Sequence, residues 1–196
     1  MDKCSDRGPE DASDTQDIAV TISIRLATTA DASAISALID ASVRRLSEGY
    51  YSAEEIERAL VRVFGVDSQL IADGTYYVAE ENGEIVGCGG WGRRATLYGG
   101  DQAERNDAEL DPATDAAKIR AFYVAPTHAR RGIARQLLDV CESAARAHGF
   151  RRAELAATLP GVPLYAAMGY AGDEEVASDL GEGYELKCVR MEKVLV

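Results

Sequence analysis

The stretch Ala129-Arg130-Arg131-Gly132 combines two adjacent guanidinium side chains with a glycine, directly before a run that reads as a helix. The first N–H groups of a helix have no intrahelical acceptors, they sit at the positive end of the macrodipole, and glycine lets an anion approach the main chain closely. Those properties together describe a phosphate-binding turn. The letters also exclude two common phosphate loops. The G-x-x-x-x-G-K of a P-loop is missing, and one glycine stands where a dinucleotide fold requires G-x-G-x-x-G. A nucleoside triphosphate or a nicotinamide cofactor is therefore disfavoured.

Two elements must hold this turn. Before it, Ile119 to Val124 is rich in β-branched and aromatic residues and stops at Pro126, which cannot serve a ladder. After it, Ile133, Leu137, Leu138, Cys141, Ala144 and Ala145 recur at three- and four-residue spacing up to Gly149, the pattern of an amphipathic helix with a glycine at its C-terminal end. Strand, basic turn and helix form one unit.

This unit resembles the acyl-CoA-binding segment of the GNAT superfamily of N-acyltransferases, whose turn reads Q/R-x-x-G-x-G/A. Gly132 and Ala134 match, and Ala129 departs from the first position while Arg130 and Arg131 keep the turn basic. A second segment, Leu164-Tyr165-Ala166-Ala167-Met168-Gly169-Tyr170, resembles the family's L/F-Y-x-x-x-G-F/Y element and follows one strand later. Thr158 stands where the family carries Asn.

The resemblance implies an α/β (α+β) fold with a twisted, mixed but mostly antiparallel sheet of about seven strands. About four helices flank it, and the central strands splay apart. It implies an N-acetyltransferase that moves the acetyl group of acetyl-CoA to an amine by direct attack in a ternary complex. The cofactor residues it points to are Phe122, Tyr123 and Val124 on the strand, then Ala129, Arg130, Arg131, Gly132, Ile133, Ala134 and Arg135 around the turn, with Thr158 beyond. It makes Tyr165 the expected general acid for the departing thiolate, since a phenol with a pKa near 10 is protonated at neutral pH. A main-chain donor at Val124 is the expected oxyanion contact. The general base stays open among Glu80, Glu81, Asp101, Tyr51 and a water chain. A non-catalytic acyl-CoA-binding or sensing module on the same fold, and a scaffold that uses its acidic segments to bind a basic protein, are the competing functions.

The 196 residues, 46% of them apolar, are enough for one domain with a substantial core. Residues 1–17 are acidic and nearly free of large apolar side chains, which predicts a disordered tail before a single domain over 18–196. A formal net charge of −12 argues against nucleic acid or an anionic membrane as partner. No apolar window has the length of a membrane span, the four cysteines show no C-x-x-C pair, and the two histidines offer no ligand cluster. A cytoplasmic protein with reduced cysteines and no metal is the expectation, and a homodimer is compatible with it.

Elsewhere, Ile18 to Leu26 alternates as a first strand, and a helix follows on Ile35, Leu38, Ile39 and Val43. Ser52 and Glu55 form a capping box for a helix over Ala53 to Val63. Asn82-Gly83 joins two strands, Thr75 to Glu80 and Glu84 to Arg93, as a hairpin. The second of these carries the glycine-rich Gly87-Cys88-Gly89-Gly90-Trp91-Gly92, which fits either a ligand-facing strand or a packing kink. Arg152 to Ala157 reads as a strand, Val162 to Met168 as a short segment, and Tyr170 to Val176 and Tyr184 to Val194 as a last hairpin around a polar loop at Ser178 to Gly183. The long polar segment Ala95 to Ala117 carries six carboxylates from Asp101 to Asp115 against Arg105. If it flanks the acceptor cleft, its field favours a cationic amine, whether small molecule or peptide.

Overall fold

The computed structural model describes residues 21–195. The expected tail over 1–17 and the start of the first strand lie outside them. Seven strands form one sheet in the order β1-β2-β3-β4-β5-β7-β6. They are β1 Ser23–Leu26, β2 Tyr76–Glu81, β3 Glu84–Gly92, β4 Ala117–Val124, β5 Arg152–Thr158, β6 Ala171–Gly181 and β7 Tyr184–Val194. All neighbours are antiparallel except β4 and β5. Helices α1 Ala32–Leu46, α2 Ala53–Arg62 and α3 Ser68–Ala72 come between β1 and β2, α4 Ile133–Ala147 between β4 and β5, and α5 Val162–Ala167 between β5 and β6.

Local chemistry sets the expected boundaries. The Glu55 N–H donates to Ser52 Oγ at 3.2 Å while the Ser52 N–H donates to Glu55 Oε2 at 2.7 Å, so the capping box starts α2. Asn82 and Gly83 have φ of 53° and 83°, the left-handed pair that a tight hairpin turn needs. Two elements differ from the sequence reading. Helix α3 was not expected, because its five residues are too few for a periodic pattern, and the Asp67 side chain starts it by accepting from the Leu70 N–H. Strand β6 runs on to Gly181 through the expected polar loop, since an edge strand with one solvated face accommodates polar residues.

The glycine run of β3 is a packing device. A Cβ at Gly87 would lie 2.7 Å from Ile133 Cγ2, one at Gly89 2.7 Å from the Phe122 ring, and one at Gly90 2.8 Å from Leu70 Cδ1. Close approach of α4, of β4 and of α3 therefore requires glycine at three successive contacts. Trp91 beside them is fully buried among Leu138, Phe150 and Leu155 and belongs to the core.

Two features of β4 shape the centre of the sheet. It pairs with β5 only at Ala117–Ala153 and Lys118–Glu154, after which the strands diverge. The closed end is tied by buried Glu154, which accepts from Lys118 Nζ and from Arg190 Nε at 2.9 Å and Nη2 at 2.6 Å. Further along, the register with β3 shifts between Gly90–Arg120 and Cys88–Tyr123, with Ala121 at φ 59° in the left-handed region. Beyond this bulge Phe122 and Val124 pack on the α4 side, while Tyr123 packs with the α1 and α2 residues on the other.

Candidate functional site

The divergence of β4 and β5 opens a cavity of about 690 Å³ that starts at the N-terminus of α4, passes through the split sheet and reaches the side of α1 and α2. All the expected site residues line it except Arg131.

At the α4 end, Arg130 and Gly132 have φ of 65° and 82°. The first helical bond runs from the Gln136 N–H to the Gly132 carbonyl at 3.1 Å, so the N–H groups of Ile133, Ala134 and Arg135 have no carbonyl within the helix. A Cβ at Gly132 would meet nothing within 4 Å, which leaves the approach open. Left-handed turns that gather main-chain donors at a helix start form an anion cradle. Arg130 and Arg135 add positive charge at its rim. Arg131 instead turns back to Glu81, which also holds His128 Nε2 at 2.8 Å, and so anchors the turn to the end of β2. The donor set fits the pyrophosphate of a coenzyme A molecule.

In the split, Val124 donates its N–H to Ser42 Oγ at 3.3 Å. Ser42 is a buried polar residue on the apolar face of α1, one turn after Leu38, and that misplaced hydroxyl is the signal by which the sequence could have revealed it. Opposite stands Tyr165, whose ring meets Phe122 and Tyr170 edge to face at 6.4 and 5.9 Å. Among the described residues its hydroxyl has no hydrogen-bond partner, and burial raises the phenol's pKa well above its ordinary value. A neutral, unengaged O–H therefore faces the cavity. Thr158 lines the same wall at the end of β5.

None of the four expected bases lines the cavity. Glu80 binds Arg25, Glu81 holds the turn, and Asp101 accepts from the Ser68 N–H and from Arg105. The Tyr51 hydroxyl donates to the Lys187 carbonyl at 2.6 Å and accepts from the Leu159 N–H at 2.8 Å, which pins the loop before α2 to β7 and to the end of β5. The acidic segment also stays out of the wall, to which it lends only Leu97, Tyr98 and Gly99 just before its first carboxylate. Asp111 and Asp115 close a local turn by accepting from the Ala113 and Asp111 N–H groups. Among the described residues no cluster of His, Cys, Asp or Glu could hold a metal ion, and no helix is long and apolar enough to cross a membrane.

Residues 40–170 match the acetyltransferase (GNAT) family model. The chain belongs to the GNAT family. GNAT proteins are also its structural neighbours. The GCN5-related N-acetyltransferase of Rhodopseudomonas palustris superposes with a TM-score of 0.66 at 23% identity, over 89% of this chain and 96% of the other. The paia N-acetyltransferase of Thermoplasma acidophilum, solved with coenzyme A, gives 0.60 at 15% identity, over 89% and 99%. The yncA protein of Salmonella typhimurium, solved with its cofactor acetyl-CoA, gives 0.58 at 19%, over 89% and 94%. At such identities the likeness is one of fold. No curated protein matches the sequence. In this GNAT chain the cradle, the split strands and Tyr165 sit on one continuous cavity.

Proposed function

We propose that the protein is an acetyl-CoA-dependent N-acetyltransferase that brings thioester and amine together in one ternary complex. The observation that carries this reading is the continuity of the cavity: an anion cradle at α4, an unpaired edge of β4 and a free phenol lie along one path. The N–H groups of Ile133, Ala134 and Arg135 bind the pyrophosphate. The edge of β4 from Phe122 to Val124 aligns the pantetheine arm, and Thr158 donates a hydroxyl where the family carries an amide.

The amine nitrogen attacks the thioester carbonyl carbon, forming C–N and then breaking C–S. Holding the two in contact supplies the proximity contribution to the rate. Val124 N–H, released from Ser42, receives the developing oxyanion. Tyr165 gives its proton to the departing sulfur, the product nitrogen sheds its extra proton as the amide forms, and that proton, passed through water, restores the phenol, leaving the N-acetyl amine and free coenzyme A. No carboxylate lines the cavity among the described residues, and both ring nitrogens of His128 at the α4 end are taken by Glu81 and Thr127, so the ammonium loses its proton to water before attack. Cys188 also lines the cavity, but burial pushes its thiol up to about 12, which favours direct transfer over an acetyl-cysteine intermediate.

The test is calorimetry with acetyl-CoA followed by thiol release in the presence of an amine panel. Binding with amine-dependent release is expected. Binding without release from any amine would instead support a sensing module.

A further inference from the structure

With coenzyme A bound at α4, the half of the cavity left for the acceptor is the one on the other face of β4. Its wall is built by Tyr50, Phe64, Leu97, Tyr98, Tyr123 and Leu186. Phe64 and Tyr123 meet edge to face with centroids 6.1 Å apart, so this wall is a packed aromatic surface. Among the described residues no Asp or Glu lines any part of the cavity, and its formal charges are the guanidinium groups of Arg120, Arg130 and Arg135.

Arg120 is committed elsewhere. Its Nη1 donates to the Thr96 carbonyl at 3.1 Å, and its Nη2 donates to the Gly99 carbonyl at 2.9 Å and to Asp67. It thereby holds the segment that carries Leu97 and Tyr98, and its terminal nitrogens are not free for a substrate carboxylate. Arg130 and Arg135 belong to the anion cradle at the far end. Asp67, a buried carboxylate bound to Arg120, is consumed by it and by Arg105 at 2.8 Å.

From this we infer that the acceptor is a primary monoamine on an aromatic or similarly broad apolar body, carrying neither a second ammonium nor a carboxylate. The inference rests on the acetyltransferase reading above. A second ammonium drawn into this pocket would lose water without gaining a counter-charge, and a carboxylate would find no free paired donor. A flat apolar body gains edge and face contacts with the wall, and a single ammonium is tolerated over tyrosine faces until it loses its proton. The carboxylates of the acidic segment stand outside the wall, so they give a bound second ammonium no direct counter-charge.

The test compares 2-phenylethylamine, spermidine, phenylalanine and a lysine-containing peptide on the full chain with acetyl-CoA. Thiol release gives kcat/KM, and calorimetry on protein loaded with coenzyme A gives amine affinity. The expected result is a kcat/KM for 2-phenylethylamine at least about tenfold above the other three. Tyr98→Asp, which puts a carboxylate into the wall, should shift the ratio towards spermidine, whereas Tyr98→Phe should keep it. Equal or better use of spermidine, peptide or phenylalanine overturns the inference and leaves the acetyltransferase reading standing. If no amine releases thiol although acetyl-CoA binds, the catalytic reading fails, and affinity decides only which class of amine the pocket takes. Preferential binding of 2-phenylethylamine would then uphold the pocket's preference for a monoamine on an aromatic body, and its failure to bind would end it. If acetyl-CoA itself does not bind, the same comparison on the free protein decides in the same way.

Discussion

The Val124 N–H meets Ser42 Oγ at 3.3 Å, joining the free edge of β4 to the buried face of α1. That separation is long for an N–H···O bond, so the hydroxyl is a weak and replaceable partner. On the mechanism proposed above, the main-chain donor that receives the oxyanion is therefore occupied before substrate arrives. Ser42→Ala leaves this N–H unpaired in the free protein and available to the thioester oxygen. Stability should fall by about 1 kcal/mol while acetyl-CoA binds roughly fivefold more tightly. Denaturant unfolding and calorimetry measure the two. Weaker binding at unchanged stability would mean that the hydroxyl donates to the ligand instead of competing with it.

Gly132 separates conformational strain from electrostatics. Its φ of 82° costs any L-residue about 1–2 kcal/mol, yet a Cβ there has open space. Gly132→Ala is therefore expected to lower stability by about that amount and to retain most of the acetyl-CoA affinity. Gly132→Glu adds a carboxylate at the anion cradle and should abolish binding in a folded protein. Calorimetry on both variants checks this. Equal affinity of the glutamate variant and wild type would remove the phosphate-turn assignment.

Cys188 offers a decisive comparison between direct transfer and a covalent intermediate. With its thiol pushed up to about 12 by burial, only roughly one part in 10⁵ is thiolate at pH 7. Cys188→Ser should keep kcat within about twofold. Intact mass after incubation with acetyl-CoA alone should show no acetyl adduct. A stoichiometric adduct that disappears in the serine variant would replace direct attack by a two-step route.

The strand, turn and helix from Ile119 to Ala147 were legible because their main signals are local: apolar period, proline stop, glycine at positive φ. The same rules found the hairpin at Asn82-Gly83 and the cap at Ser52. What they could not reach depends on contacts between distant segments. The β3 glycines answer to Ile133, Phe122 and Leu70, which lie far along the chain or on a helix too short to show a period. Tyr51, a candidate base by position, is a structural tie because Lys187 and Leu159 fold onto its hydroxyl. Arg131 looks like its neighbour Arg130 in sequence, but Glu81 from another strand turns it away from the cavity. The splay itself is written nowhere locally. It follows from a parallel pairing that stops after Lys118–Glu154.

Tyr165 combines burial, edge-to-face packing and an unengaged hydroxyl, so a substitution that keeps the ring isolates the proton. Tyr165→Phe is expected to lower kcat by about 10²-fold, the usual contribution of a positioned acid, with little change in acetyl-CoA affinity. The pH profile gives an independent check. Desolvation disfavours the phenolate and raises the pKa above the ordinary 10.0, so the acid form persists throughout the range below that value. Wild-type kcat should therefore keep rising with pH up to about pH 10 as more of the amine is neutral, with no alkaline limb from this residue in that range. The phenylalanine variant should keep the same rising limb at a lower rate throughout, because the amine's titration is untouched. Wild-type turnover in Tyr165→Phe, measured where chemistry limits the rate, would leave the ring as packing and move the search for the acid elsewhere along the cavity wall.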